Sequence, residues 1–353
     1  MVGRVCEKPG ELVVIDPLQY PGWDSLVAAA CGGSFFHGTA WARVLRDTYG
    51  HRAFYLCDIV DGRLEEMLPI MEVCSRWTGR RGVSLPFTDW CSAIERKGCN
   101  SGRLFESGIR CGRDRRWRYL EYRKLSVQWP AASPSVAFYG HRIDLQPTQA
   151  ALFKQLDSSV RRCIRKGQVS GVRIEFGSGL EAMRVFYGLH CKTRRRHGLP
   201  PQPLGFFDNI ARHVVSKGAG SLLIARAANR PVAAAVFFHH GAEAIYKFAA
   251  SDYAFQHLRA NTLLLWTAIK HYAANGFLCL DLGRTSLANE GLRRFKAGFG
   301  ARQRFIEYCR YDFSKGAFVK TYDRSESPIN RLFRCLPGPL LRLAGEMLYP
   351  HLA

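Results

Sequence analysis

The sequence predicts an α/β fold with a mixed α+β sheet, in two domains and a helical tail, and three observations predict it. From Ala244 to Tyr311 the hydrophobic period switches in turn between strand, helix, strand, helix and strand. Phe277 to Leu282 is a nearly continuous apolar run ending at an acid, as expected of a strand covered on both faces. And 353 residues exceed what one hydrophobic core usually fills, so two domains are expected.

Taken in order, Glu11 to Asp16 reads as a strand and Trp23 to Ala30 as a short helix stopped at Gly32-Gly33. Thr39 to Tyr49 is a second helix, closed by Gly50. Ala53 to Val60 and Leu64 to Glu72 are strands joined by Asp61-Gly62, the clearest hairpin signal in the chain. Val83 to Trp90 carries the turn-rich SLPFTDW, a buried aromatic turn or a site loop, with Asp89 as a candidate acid. Cys99 to Gly112 suits a helix, Trp117 to Lys124 a strand, Ser126 to Ser135 a loop, and Phe138 to Leu145 a strand closing a first domain of residues 1–145.

The second domain, 146–313, opens with a helical pattern from Thr148 to Lys166 that ends in Arg161, Arg162, Arg165 and Lys166. Cations suit a helix C-terminus in themselves and also suit a phosphate-bearing partner. Gly171 to Phe176 is a strand and Glu181 to Arg194 a helix. RRRHGLPPQP, residues 194 to 203, reads as an ordered loop because three prolines and a glycine oppose helix. A helix over Phe206 to Val215 and strands Ser221 to Ala227 and Val232 to His240 lead to the opening segment. There, Ile245 to Ala250 is a strand and the Leu263 to Tyr272 region a helix stopped at Asn275-Gly276. Beyond it, residues 314–353 read as two short amphipathic helices separated by Pro337 and Pro339, with arginines among leucines. Such a tail packs on its own domain or lies on a membrane surface.

Composition bounds the function. The net charge of +22 favours anionic partners such as RNA, coenzyme A, nucleotide-sugar phosphates or an anionic membrane face. Twelve cysteines are scattered without a CxxC pair, the first ten residues lack a signal-like apolar core, and no stretch is long enough to span a membrane, so a cytoplasmic chain is expected. No metal site is expected, since the histidines lack ligand spacing. There is no P-loop, GxSxG elbow or GxGxxG, which points away from kinases, α/β-hydrolases and dinucleotide oxidoreductases.

Polar residues gather at strand ends, where open α/β sheets bind ligands. They are Lys247, Ser251 and Asp252, and then Asp281 followed by Gly283, Arg284, Thr285 and Ser286. Either Asp281 and Arg284 pair with each other, or Arg284 and the backbone amides of the turn hold a phosphate or carboxylate while Asp281 orients the helix. Arg194, Arg196 and His197 form a dense cation set, with His197 a candidate base or simply structural.

RRRHGLPPQP, AIYKFAASD, DLGRTS and NEGLRRFKAGFGA followed by FIEYCRYD resemble the Fem family of peptidoglycan-bridge aminoacyltransferases. They also resemble the related FemAB-like, BioF2-type acyltransferases of the GNAT superfamily. The likeness covers most of Ser34 to Phe313. It implies two tandem GNAT-like domains and an N-acyltransferase with no tightly bound cofactor, using acyl-CoA or aminoacyl-tRNA as co-substrate. It implies an amine acceptor from the cell envelope or exopolysaccharide assembly, such as a nucleotide sugar or lipid-linked precursor, with action at the inner face of the membrane. A non-catalytic scaffold in such an assembly is the alternative. The family's closing FK motif matches Phe295-Lys296, placing Lys296 near the acyl carbonyl. Asp281 with Arg284, Thr285 and Ser286 would serve the substrate anion, and Lys247, Ser251 and Asp252 the acceptor, beneath the Arg194 to Pro203 loop. The QxxGxG pyrophosphate loop of ordinary acetyltransferases is replaced by QHLRAN, in which Asn261 is expected to cap the following helix and its free amides to hold an anion.

Overall fold

A computed structural model of the chain describes residues 12–96, 102–123, 134–321 and 329–352. Met1 to Gly10, the strand start at Glu11, the Cys99 to Ser101 helix start, Lys124 and most of the Ser126 to Ser135 loop lie outside these residues.

The chain begins with β1 (Val13–Ile15), α1 (Trp23–Ala29), α2 (Thr39–Tyr49), β2 (Arg52–Ala53), β3 (Tyr55–Val60), β4 (Arg63–Leu68), β5 (Met71–Ser75) and β6 (Gly79–Val83). Asp61 and Gly62 both take positive φ, the conformation of a tight hairpin turn, as expected. The expected strand over Leu64 to Glu72 is two strands, because Pro69 interrupts the ladder, and β6 was not anticipated. Next come α3 (Gly102–Asp114), β7 (Tyr119–Arg123) and β8 (Val136–Asp144).

The second half starts with α4 (Gln149–Lys154) and α5 (Ser158–Val169), two helices where one was expected. Thr148 caps α4 through Ala151 N, and the chain re-enters helix at Ser158 after Gln155 to Asp157. There follow β9 (Arg173–Gly177), α6 (Gly179–Arg196), α7 (Leu204–His213), β10 (Gly220–Ala227), β11 (Arg230–His240), β12 (Glu243–Ser251), α8 (Ala260–Ala274), β13 (Cys279–Ser286), α9 (Glu290–Ala297), β14 (Arg302–Asp312) and β15 (Ala317–Val319). The tail is α10 (Ile329–Cys335) and α11 (Gly338–Leu348), broken at Pro337 as expected.

A small sheet orders β1-β3-β4, and a twelve-stranded sheet orders β2-β5-β6-β7-β14-β8-β13-β12-β11-β10-β9 with β15 on β14. Each half contains one parallel crossover, β6 to β7 over α3 and β12 to β13 over α8. The last strands are exchanged: β8 of the first half pairs with β13, while β14 of the second inserts between β7 and β8. The sheet is therefore continuous across residue 145. One core lies under α2, α6 and α7 around Trp41, Phe206, Phe207 and Phe238, and another under α5 and α8 around Leu264, Trp266 and Phe237.

The ladder between β12 and β13 covers only three residue pairs, Glu243–Cys279 to Ile245–Asp281. Past Asp281 the strands are no longer paired. The residues that follow on each, Tyr246 to Ser251 and Leu282 to Ser286, flank a cleft at the C-terminal ends of the strands, where sheets of this kind bind ligands.

Candidate active site

Two irregularities aim side chains into that cleft. Val236 pairs with Phe248 and Phe237 with Tyr246, which leaves Lys247 as the extra residue of a β-bulge. Opposite it, β13 bulges between Asp281 and Arg284, with Gly283 at φ 70°. The strand expected to end at Leu282 runs on to Ser286 through this bulge. A Cβ on Gly283 would approach Asp89 Oδ2 to 2.6 Å, so only glycine leaves room for that carboxylate.

Asp89 comes from the first half, on the SLPFTDW segment, which is bent by positive φ at both Leu85 and Phe87. Buried Arg123 donates to the carbonyls of Leu85 (3.3 Å) and Thr88 (2.9 Å), and the Tyr308 hydroxyl donates to Asp89 O (2.7 Å). Strained backbone held by that many partners is typical of functional sites. Its carboxylate faces Lys247 Nζ at 3.6 Å and Arg284 Nε at 3.8 Å. Burial would raise the Asp89 carboxyl, but the charges of Lys247, Arg284 and Lys296 outweigh it and hold the group below its usual range. Lys247 lies between the rings of Phe36 and Phe248, and burial pulls its ammonium down against the opposing pull of Asp89. Arg284 lies over Phe138 and donates to the Tyr308 hydroxyl at 2.9 Å.

Lys296 is buried on α9, whose start is capped by Asn289. Phe299 anchors the helix in the core with the Phe295 ring packed on it. Lys296 Nζ donates to Gly283 O at 3.0 Å and to Arg284 O at 2.9 Å, which ties the ammonium to the bulge. An ammonium has three N–H donors, so one remains for a ligand. Burial lowers Lys296 to about 8, opposed by Asp89 and Asp281 and reinforced by Arg284. Behind it sits His141 of β8, wholly buried and lowered to about 4 by burial and then by the Lys296 charge.

Other expected residues are placed differently. Asp281 does not pair with Arg284: it accepts from Arg304, from Trp90 Nε1 (3.0 Å) and from the Gly283 amide (2.6 Å). Burial raises it, and these partners only partly offset that. Its position is that of a brace for the bulge. Thr285 is buried in β13 and Ser286 ends the strand.

The trio Lys247, Ser251 and Asp252 is not brought together, because four to five residues of strand, about 13–16 Å, separate the lysine from the other two. Ser251 exchanges backbone hydrogen bonds with the Thr193 hydroxyl, and Asp252 pairs with Lys192 at 2.7 Å. Both line a second cleft of about 160 Å³ with Arg259, Asn261 and Phe295. Asn261 is the second residue of α8 and not its cap; Arg259 holds the cap position, at φ 56°, without a side-chain cap bond. A left-handed arginine thus stands where QxxGxG has its first glycine. The last turn of α5 packs on the start of α8, with Gly167 against Leu263 and Leu258 O.

The Arg194 to Pro203 segment is not all loop, because α6 continues through Arg196. Arg194 donates to Pro200 O (3.2 Å) and to the Tyr349 hydroxyl (2.7 Å) of the tail, and Arg196 lies over Tyr253. His197 is the exposed C-cap of α6. Burial and then Arg196, Arg194 and Arg334 lower it, and none of these neighbours belongs to the Lys296 cluster, so a catalytic role there is not supported. Tyr308, Arg123, Arg304, Trp90 and His141 were not singled out from sequence. Trp90 follows Asp89 directly and Tyr308 lies in FIEYCRYD, but which strand faces the cleft depends on the exchange of β8 and β14.

Residues 154–297 match the family model described as an acetyltransferase (GNAT) domain. No curated protein sequence matches the chain. Among solved structures, FemX aligns with a TM-score of 0.65 at 12% identity over 87% of this chain and 98% of its own. L-PGS from Bacillus licheniformis aligns at 0.54 and 12% identity over 96% and 99%. A tandem GNAT protein from the clavulanic acid biosynthesis pathway aligns at 0.51 and 10% over 89% and 99%. The fold is that of two tandem GNAT-like units, and the second carries the stretch that matches the acetyltransferase (GNAT) domain model.

Proposed function

We propose that the chain transfers an acyl or aminoacyl group from a phosphate-bearing carrier to a primary amine of an envelope or exopolysaccharide precursor. The observation that carries this reading is Lys296: an ammonium fixed by two strand carbonyls, with a third donor free, beside a carboxylate in a cleft between splayed strands. The carrier's phosphates are assigned to the start of α8, where the amides of Ala260 and Asn261 lack intrahelical acceptors and Arg259 lines the cleft. The carbonyl then lies against Lys296. The amine attacks it directly, the C=O π electrons move to oxygen, and Lys296 donates to the oxyanion. Asp89 takes the proton from the attacking nitrogen, whose acidity rises sharply once the C–N bond has formed. Collapse re-forms the carbonyl while Asp89 passes that proton to the departing sulfur or oxygen, so the carrier leaves as its thiol or alcohol, the carboxylate is restored and an amide remains.

Lys247, Arg284 and Lys296 outnumber the Asp89 carboxylate, so the cleft favours an acceptor that also carries phosphate or carboxylate. The envelope assignment rests on the Fem resemblance and on the FemX and L-PGS folds. Between donors, the loss of both QxxGxG glycines and the charge of +22 favour aminoacyl-tRNA.

Mass spectrometry of the purified protein for a co-purifying CoA thioester, tRNA or nucleotide sugar, followed by transfer assays with what is found, tests the proposal. Amide formation that depends on Lys296 supports it. A protein that transfers no acyl group from either carrier, while Lys296→Met preserves its cellular role, favours a scaffold instead.

A further inference from the structure

Residues 329–352 hold a concentration of exposed apolar side chains. Of fifteen strongly exposed large hydrophobic residues among those described, five lie here: Leu332, Leu340, Leu343, Met347 and Leu352. They do not reflect a loosely attached helix. On the inner face of α11 Leu341 is buried, as is Tyr349 just past its end, and Gly345 packs so closely that a Cβ there would fall 2.0 Å from Pro201 O. Gly198 packs on Asn330 O in the same way. The outer residues Leu340, Leu343 and Met347 are spaced i, i+3, i+7 and form one stripe, each more than half exposed (52% to 54%). Arginine dominates the charge on these two helices: among the described residues 329–352, Arg331, Arg334 and Arg342 are exposed against a single acid, Glu346.

A second, independent element adjoins this face. The turn between β5 and β6 presents Trp77, 59% exposed, with its ring 4.3 Å from that of His351 at the end of the tail. Arg76 and Arg80 flank it, also exposed. An exposed tryptophan beside arginines, next to a leucine stripe rimmed by arginines, is the composition of a surface that lies in a lipid headgroup layer. Burying the stripe in another protein would not need that excess of cations, whereas an anionic bilayer attracts each of them.

We infer that the outer face of α10 and α11, together with Trp77, docks the protein on an anionic membrane surface, with Leu340, Leu343 and Met347 entering the acyl boundary. This goes beyond the transfer reaction and holds whichever donor is used. It also has a geometric consequence. The docked helices grip the Arg194 to Pro203 segment through Arg194, Tyr349 and Pro200. That segment ends α6, whose Thr193 bonds Ser251 at the second cleft. The membrane face and the transfer site are thus joined by one continuous set of contacts.

Co-sedimentation of the full chain with phosphatidylcholine vesicles, with and without phosphatidylglycerol, tests the inference. The wild type is expected to pellet with the anionic vesicles and not the neutral ones. Leu340→Glu/Leu343→Glu/Met347→Glu, whose side chains are exposed, should weaken that binding at least tenfold at unchanged Tm. Vesicles should also shift the emission of the wild type to the blue, and Trp77→Phe should lose that shift, a readout independent of the triple variant. The inference is overturned if neither vesicle binds, or if the triple variant pellets like the wild type. It is equally overturned if the wild type is a dimer that the triple variant dissociates, since a second copy would then cover the stripe, or if added tRNA binds through the same stripe and the vesicles do not.

Discussion

The ammonium of Lys296 combines two properties that oppose each other. Desolvation brings it to about 8, yet its proposed role needs the proton. Oxyanion stabilisation should therefore be complete below pH 8 and decline as pH rises through it, giving a rate profile whose alkaline limb follows this lysine. Stability should run the other way. The unfolded chain holds this proton up to its ordinary value of 10.5, so between about 8 and 10.5 unfolding takes up a proton, and stability should rise with pH across that window. Denaturant titrations of wild type and Lys296→Met across those pH values would show the rise lost in the variant. The lysine was legible from the motif around it. Its anchoring was not, because the two carbonyls that hold it belong to a bulge, and no periodicity reveals a bulge. Asp281 illustrates the reverse: the acid closing the apolar run was legible, but the strand runs on past it through the bulge, and its partner Arg304 arrives on an exchanged strand.

Element by element, the site depends on two backbone departures, at Arg259 and Gly283. A left-handed non-glycine residue costs on the order of 1 kcal/mol, so Arg259→Gly should stabilise the fold by about that much in a denaturant titration. Loss of the guanidinium should weaken donor binding about tenfold by calorimetry. Equal or tighter binding would remove Arg259 from the donor cleft. Gly283→Ala should do more harm, because the added carbon meets Asp89 and the position needs positive φ. A lower Tm, with transfer reduced further than the loss of fold explains, is the expected result. Strong helices such as α2, α7 and α8 could be read directly from apolar spacing and glycine stops. Boundaries failed where Pro69 divided a strand, where Asp157 restarted a helix, and where α6 ran into an arginine cluster taken for loop.

For the whole molecule, the exchange of β8 and β14 explains why the first half contributes to chemistry in the second. Asp89, Arg123 and Trp90 reach a cleft formed by β12 and β13 because β14 ties both halves into one sheet. Sequence patterns report each strand but not its partner across the sheet, so this exchange could not be read from them, and with it the set of residues facing Asp89. The tail belongs to the same unit. Ending the chain after Thr321 would uncover the Arg194 to Pro203 segment and remove the burial of Leu341 and Tyr349, and should lower Tm by about 5 °C or more. An unchanged Tm would show that the tail is an appendage.

The central claim is that the free donor of Lys296 faces the reacting carbonyl. Single-turnover transfer by the wild type and Lys296→Met, measured across pH with the donor found on the purified protein, tests it most directly. The wild-type rate should fall above pH about 8, and the variant should be slower by about 10²- to 10³-fold with donor affinity retained. A variant that transfers at the wild-type rate, or a wild-type rate unchanged through pH 8, would contradict it.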